Sequence, residues 1–210
     1  MASNRQTFEN LPEEKRGRVL NEATREFADH GYQGASINRI VDRLGIAKGS
    51  LFKYFGSKEG LFEHVFSRAV ADFKGPLKAI RDSEGDFFTR IGQSLLAGAA
   101  FIDGHPHIYA IYLKMLFNEN FPLRERFLGE IRRAHAKYLG ALVDDGIAAG
   151  ELRPDIDRGM TVFLLHTTLD RFLQHHAVPS LDTGIDPAPR STEDRVRAVT
   201  DFLRHGLGQR

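Results

Sequence analysis

The run Gly34-Ala35-Ser36-Ile37-Asn38-Arg39-Ile40-Val41-Asp42-Arg43-Leu44-Gly45-Ile46-Ala47-Lys48-Gly49-Ser50-Leu51-Phe52-Lys53-Tyr54-Phe55-Gly56-Ser57-Lys58 reads as two short helices joined by a glycine corner. Ile37, Ile40, Val41 and Leu44 recur at spacings of three and four, which places them on one helical face. Ser36 precedes this run, where its hydroxyl accepts from a free backbone N–H. Gly45 follows it, where helices commonly leave through a left-handed residue. Ile46 plugs the corner, and Leu51 and Phe55 form the core face of the second helix. Left off that face are Lys48, Gly49, Ser50, Phe52, Lys53 and Tyr54: donors, aromatics and a small residue that permits close approach. The pattern is a helix-turn-helix, and it makes double-stranded DNA the first candidate partner.

Charge agrees locally. From Ser36 to Lys58 there are five basic residues (Arg39, Arg43, Lys48, Lys53, Lys58) and one acid, Asp42. The whole chain is only +1; its first 58 residues carry 10 basic and 7 acidic side chains. Positive charge is thus gathered where phosphates would be neutralised. The competing reading of Lys48, Lys53 and Lys58 is a solvated surface, and the flanking sequence decides between them. Before the pair lies an amphipathic helix, Pro12 to Asp29, with Val19, Leu20, Ala23 and Phe27 on one face. After it, Ser57-Lys58-Glu59-Gly60-Leu61-Phe62 starts another.

From Ala23 to Phe62, the order of Phe27, Gly31-Tyr32, Ser36, Ile40, Gly45-Ile46, Lys48-Gly49-Ser50-Leu51-Phe52, Tyr54-Phe55 and Lys58-Glu59-Gly60-Leu61 resembles the N-terminal domain of TetR/AcrR-type transcriptional regulators. The resemblance implies a homodimer on a palindromic operator and a C-terminal helical domain that dimerises and encloses a small-molecule effector. It implies phosphate contacts from Ser36, Tyr54 and Lys58, and a groove-facing surface of Asn38, Lys48, Gly49, Ser50 and Lys53. Two positions depart from the family. Ala47 stands where a capping Ser is common, and Phe52 where a Tyr hydroxyl reaches the DNA backbone, leaving Phe52 either to meet a thymine methyl or to pack inward.

The 210 residues, 41% of them apolar, suffice for a head at 1–57 and a larger domain at 58–210 whose first element, about 58–74, links the two. Without cysteine, neither disulfides nor thiol chemistry are available. The longest apolar stretch, Leu95 to Ile102, is far short of a membrane span, and no signal peptide pattern is present, so a soluble cytoplasmic protein is expected. Helical periodicity continues over the linking helix, interrupted at Gly75-Pro76, and over about 86–102, 106–117, 123–149, 158–177 and 193–207. The breaker-rich segment 179–191 reads as an exposed loop. The expected fold class is all-α.

In the family, the last two helices form a four-helix interface with their symmetry mates. Candidates here are Leu164, Thr168 and Phe172 on one helix and Val196, Val199, Phe202 and Leu203 on the other, with burial inside the subunit as the competing reading. Tyr109, Tyr112, Met115, Phe127, Ile131, His135, Phe163, His166 and Asp170 offer the apolar walls and few polar groups of an effector pocket; ordinary core packing is the competing reading, and for each aromatic taken singly the commoner one. Their aromatic richness favours an apolar or amphipathic effector. His166 and Asp170, four apart, are placed to share a hydrogen bond or present one to a ligand. The histidines (His105, His107, His135, His166, His175, His176) are scattered, so no metal or other cofactor is expected. No phosphate loop, nucleophile elbow or acid/base pair points to an enzyme. The expected function is a ligand-released repressor; the alternative is a ligand-binding or interaction module that retains the helical head without reading DNA.

Overall fold

Side-chain caps set where several helices begin. Asp86 accepts from the Thr89 amide at 2.7 Å, Asp157 from Met160 at 2.8 Å and Ser191 from Asp194 at 3.0 Å, each supplying an acceptor that the first turn lacks. The computed structural model describes residues 8–117, 123–182 and 190–209, which form nine α-helices and no strand. In chain order these are α1 (Glu13–Gly34), α2 (Ile37–Leu44), α3 (Lys48–Phe55), α4 (Lys58–Arg81), α5 (Phe87–Gly104), α6 (Pro106–Phe117), α7 (Arg124–Ala148), α8 (Arg158–Ala177) and α9 (Thr192–Leu207). The all-α class read from periodicity is therefore the observed one. Of the expected loop 179–191, Pro179–Asp182 form a 3-10 turn, and residues 183–189 lie outside the described residues.

Helix ends agree with the sequence reading in one place and depart from it in another. α1 breaks at Gly31, whose φ of 65° no ordinary side chain adopts readily, close to the end expected after Asp29, and one more turn follows to Gly34. α4 does not stop at Gly75-Pro76. Pro76 sits on an exposed surface, so the carbonyl that loses its partner is left to water and the helix continues to Arg81.

The chain packs as two units, one from the described residues of Met1–Asp72 and Pro106–Leu128, the other from those of Phe73–His105 and Gly129–Arg210. Packing thus does not divide the chain after residue 57. The first half of α4 goes with the helix-turn-helix because its aromatic residues are buried there. Phe62 meets Phe27 edge-on at 5.0 Å and Tyr32 at 5.5 Å, and Phe66 meets Phe127 at 5.0 Å. α1 also packs on α2 and α6. In the second unit, Phe87, Phe88, Ile91, Leu139, Leu142, Val143, Leu152, Leu165 and Leu203 form one apolar core. α5 lies against both α8 and α9. At Gly98 a Cβ would come within 2.9 Å of the Leu173 methyl groups, so a larger residue there would push that side chain aside where α5 meets α8. No helix among the described residues is long and apolar enough to cross a membrane.

Candidate functional site

The helix-turn-helix is held from its buried side. Ile40, Val41, Leu44 and Leu51 are buried, while Asn38, Arg39, Asp42 and Arg43 of α2 are exposed. Gly45 closes α2 at φ 67° with its amide on the Asp42 and Val41 carbonyls, which turns the chain directly into α3. At the other end Ser36 caps α2, its hydroxyl accepting from the Arg39 amide at 3.5 Å. Ala47, at the corresponding place before α3, makes no side-chain cap.

The face of α3 left to solvent carries Lys48, Gly49, Phe52 and Lys53, with Ser50 and Tyr54 half-buried at its edges. A Cβ at Gly49 would meet nothing within 4 Å, so the fold itself does not require glycine there. Phe52 is 40% exposed rather than packed inward, with the Lys48 ammonium 5.8 Å from its ring centre. Tyr54 rests on Phe8, ring centres 5.6 Å apart.

Lys58 is committed differently from the other lysines. Its ammonium donates to the carbonyls of Gln33 at 3.2 Å and Ala35 at 3.1 Å, and sits 4.7 Å from the Tyr32 ring centre. These bonds use two of the three donors of the Lys58 ammonium. Arg39 and Arg43 face α1, where Glu22 and Glu26 receive them. The Glu26 side chain is fully buried. Burial pushes its carboxyl up, but hydrogen bonds from Arg39, Arg43 and the Ser36 amide outweigh that and hold it at about 2.

Sequence reasoning missed Phe8 and Glu26. Phe8 is wholly buried, packed on Tyr54, Phe55 and His64, and so anchors the segment before α1 to the end of α3. The signal for Glu26 was present: a carboxylate between Ala23 and Phe27, inside an apolar stripe.

The residues expected in an effector pocket divide between the units. Tyr109, Tyr112, Met115 and Phe127 belong to the first, where Phe127 is 1% exposed in the aromatic core and Tyr109 lies 5.5 Å from Tyr112. Ile131, His135, Phe163, His166 and Asp170 belong to the second. There the His135 and His166 rings stand 5.3 Å apart, and Asp170 accepts from the buried Gln174 at 2.6 Å. Burial, with His166 beside it, pulls His135 down to about 4 against the opposing pull of Asp170, so its imidazole is neutral at pH 7. Phe163 must be withdrawn from this set. It is 60% exposed because it shares the outer face of α8 with Met160 and Leu164. An open cleft of about 260 Å³ in the first unit is lined by Glu9, Glu63, His64, Ser67 and Arg68, a polar set unsuited to an apolar ligand. Among the described residues no group of three or more His, Asp or Glu is arranged to hold a metal ion.

The expected dimer residues also separate. Leu164 and Phe202 are 52% and 74% exposed, and Thr168, Phe172 and Val199 are half-buried. Val196 and Leu203 must be withdrawn. They are buried inside the unit, on the side of α9 that meets α5 and the core, so no partner can reach them.

Residues 19–65 match the family model described as bacterial regulatory proteins, tetR family. The chain is 30% identical over 163 residues to the HTH-type transcriptional regulator UidR of Escherichia coli (strain K12), covering 71% of this chain and 75% of that one. It is 25% identical over 158 residues to the HTH-type transcriptional repressor KstR2 of Rhodococcus jostii, covering 73% and 76%. Among solved structures, a TetR family transcriptional regulator from Chloroflexus aurantiacus superposes with a TM-score of 0.75 at 31% identity, over 98% of each chain.

Proposed function

Given that this chain belongs to the TetR family of bacterial transcriptional regulators, we propose that it acts as a homodimeric repressor, bound to an inverted-repeat operator through two α2–α3 heads and released by a small apolar or amphipathic effector. It is a DNA-binding regulator and not an enzyme. As a DNA-binding regulator of a bacterial family, it is proposed to work where the DNA lies, in the cytoplasm. The observation that carries the reading is the exposed face of α3, where Lys48, Gly49, Phe52 and Lys53 are left without a core to pack, with Ser50 half-buried at its edge. Lys48, Ser50 and Lys53, with Asn38 from α2, read base edges; Ser36, Tyr54 and Lys58 position the head on phosphates. Phe52, being exposed, offers its ring to a thymine methyl.

Dimerisation uses the apolar face of Met160, Phe163, Leu164 and Phe202, a set that a soluble monomer would not leave to water. The similarity to a protein named as a repressor supports that direction of regulation. For the effector, His135, His166 and Asp170 supply the polar groups, with Ile131 as an apolar neighbour on α7. The effector binds the DNA-free state more tightly, since equal affinity for both states shifts nothing.

The test is selection from fragmented genomic DNA with the purified full chain at near-physiological salt. Enrichment of one inverted repeat, bound by a species of twice the chain mass, is the expected result. A folded protein that enriches no sequence overturns the operator reading.

A further inference from the structure

Two acids on α1 face two arginines on α2. Glu22 and Glu26 stand one turn apart on the first helix, Arg39 and Arg43 one turn apart on the second, and the four form a ladder. Arg43 Nε donates to Glu22 at 2.7 Å, and another nitrogen of Arg43 donates to Glu26 at 2.7 Å. Arg39 Nε donates to Glu26 at 2.8 Å, and its terminal nitrogen donates to the Gly34 carbonyl at 2.6 Å. The Ser36 amide adds a further bond to Glu26 at 2.8 Å. A buried carboxylate is tolerated only while such partners surround it, so an arginine that left for a DNA phosphate would strand that charge. Lys48 and Lys53 on α3, by contrast, are exposed and have no carboxylate or carbonyl partner among the described residues.

We propose that Glu22 and Glu26 are specificity-determining residues that withhold Arg39 and Arg43 from the DNA backbone, so that sequence-independent attraction is weaker than the head's basic composition offers. The inference rests on the reading of α2–α3 as the DNA-binding head. Each phosphate contact adds affinity for any duplex and steepens the dependence of log K on log salt by about 0.9. Contacts withheld in this way reduce binding to random DNA and leave base contacts on α3 untouched, which widens the gap between operator and background.

The experiment follows binding of the purified full chain to a random-sequence duplex pool by fluorescence anisotropy between about 50 and 200 mM salt. The variants are Arg39→Gln, Arg43→Gln and the double Glu22→Gln/Glu26→Gln, the last made both alone and with Arg25→Gln because Arg25 also donates to Glu22 at 3.0 Å, each checked by circular dichroism for fold. Both arginine variants are expected to keep the wild-type slope. The double acid variant is expected to bind random DNA several-fold more tightly, with a slope steeper by about 1 to 2 per head. A slope shallower by about 0.9 in either arginine variant means that arginine already lies on a phosphate, and overturns the proposal. An unchanged slope in a folded acid variant overturns it too. If the double variant does not fold, Glu22→Gln alone, at a partly exposed carboxylate, makes the same test through Arg43 with a smaller steepening. A wild-type chain that shows no salt-dependent binding would overturn the DNA-binding reading itself, an outcome distinct from unchanged slopes in a protein that binds.

Discussion

α2 and α8 distribute their side chains in opposite senses. On α2 the apolar residues Ile40, Val41 and Leu44 are buried and the polar residues Asn38, Arg39, Asp42 and Arg43 are exposed. On α8, Thr161 and Gln174 are buried while Met160, Phe163 and Leu164 are more than half exposed. A helix of the first kind is complete within its own chain, because its apolar stripe already has a core. A helix of the second kind has its core contact through Leu165 and still presents a second apolar face. That face gains its stabilisation from something outside the chain, which in our proposal is a second copy.

The largest effect is expected where the contrast is inverted inside the head, at the buried carboxylate of Glu26. Glu26→Ala removes the acceptor for Arg39, Arg43 and the Ser36 amide together; the arginines left behind reach water, so the loss is that of the charged hydrogen bonds and of the orphaned amide, about 2–3 kcal/mol. Chemical denaturation checks it; a loss below about 1 kcal/mol, the level of a surface pair, would mean that α2 is positioned by its apolar face alone. The sign of the pH dependence follows. Because the folded carboxyl is held at about 2, below its ordinary 4.5, its contribution is fully present above about 4.5 and is lost as pH falls toward 2.

The second unit contains the opposite case, a basic group that the fold keeps neutral. His135 is lowered from 6.5 to about 4, so the unfolded chain takes up a proton at this site before the folded one does. Stability therefore falls as pH drops from 6.5 toward 4, by about 2 kcal/mol between pH 7 and 5 from this group. His135→Gln should flatten the pH profile of the denaturation midpoint over that window. A variant profile parallel to wild type would assign the acid sensitivity to other groups.

The outer face of α8 and α9 gives the next effect. Phe202 is 74% exposed, so Phe202→Glu should leave the monomer's folding nearly unchanged while weakening self-association at least about tenfold by burying a charge in the interface. Sedimentation across a concentration series measures it. An unaltered association constant would remove this face from the interface.

The same contrast explains what was legible beforehand. α2 and α3 could be read from the sequence because period, glycine corner and core face all agree, and a finished amphipathic helix shows its pattern whole. The ladder could not, because periodicity tells which residues share a face but not which acid on α1 meets which base on α2. Arg39 and Arg43 were therefore counted with the DNA-facing charge. On α9, Phe202 and Leu203 are neighbours in sequence pointing to solvent and core respectively, and only the packing on α5 fixes that register. Phe163 was assigned to a pocket for a related reason: aromatic character marks a residue that avoids water without saying which surface covers it. Gly75-Pro76 was readable as a kink or as a break, because period alone does not tell whether water reaches the carbonyl that Pro76 leaves without a donor.

The smallest effect concerns the uncapped start of α3. α3 starts from Ala47, which has the extended geometry of a capping residue (φ −69°, ψ 138°) but no side-chain acceptor. Its carbonyl already receives the Ser50 amide at 2.9 Å, so the backbone is set for a cap and lacks only the oxygen. Ala47→Ser supplies it without disturbing the core, since residue 47 is exposed. A gain of about 1 kcal/mol is expected, read as a rise in the denaturation midpoint. Operator affinity tests the other half of the argument. If the open N-terminus of α3 were held free for a phosphate, the new hydroxyl would compete for the same amides, and binding would weaken as stability rose. If the missing cap is no more than an incomplete helix start, stability and affinity should rise together, because a better-formed α3 presents Lys48, Ser50 and Lys53 with less disorder to overcome.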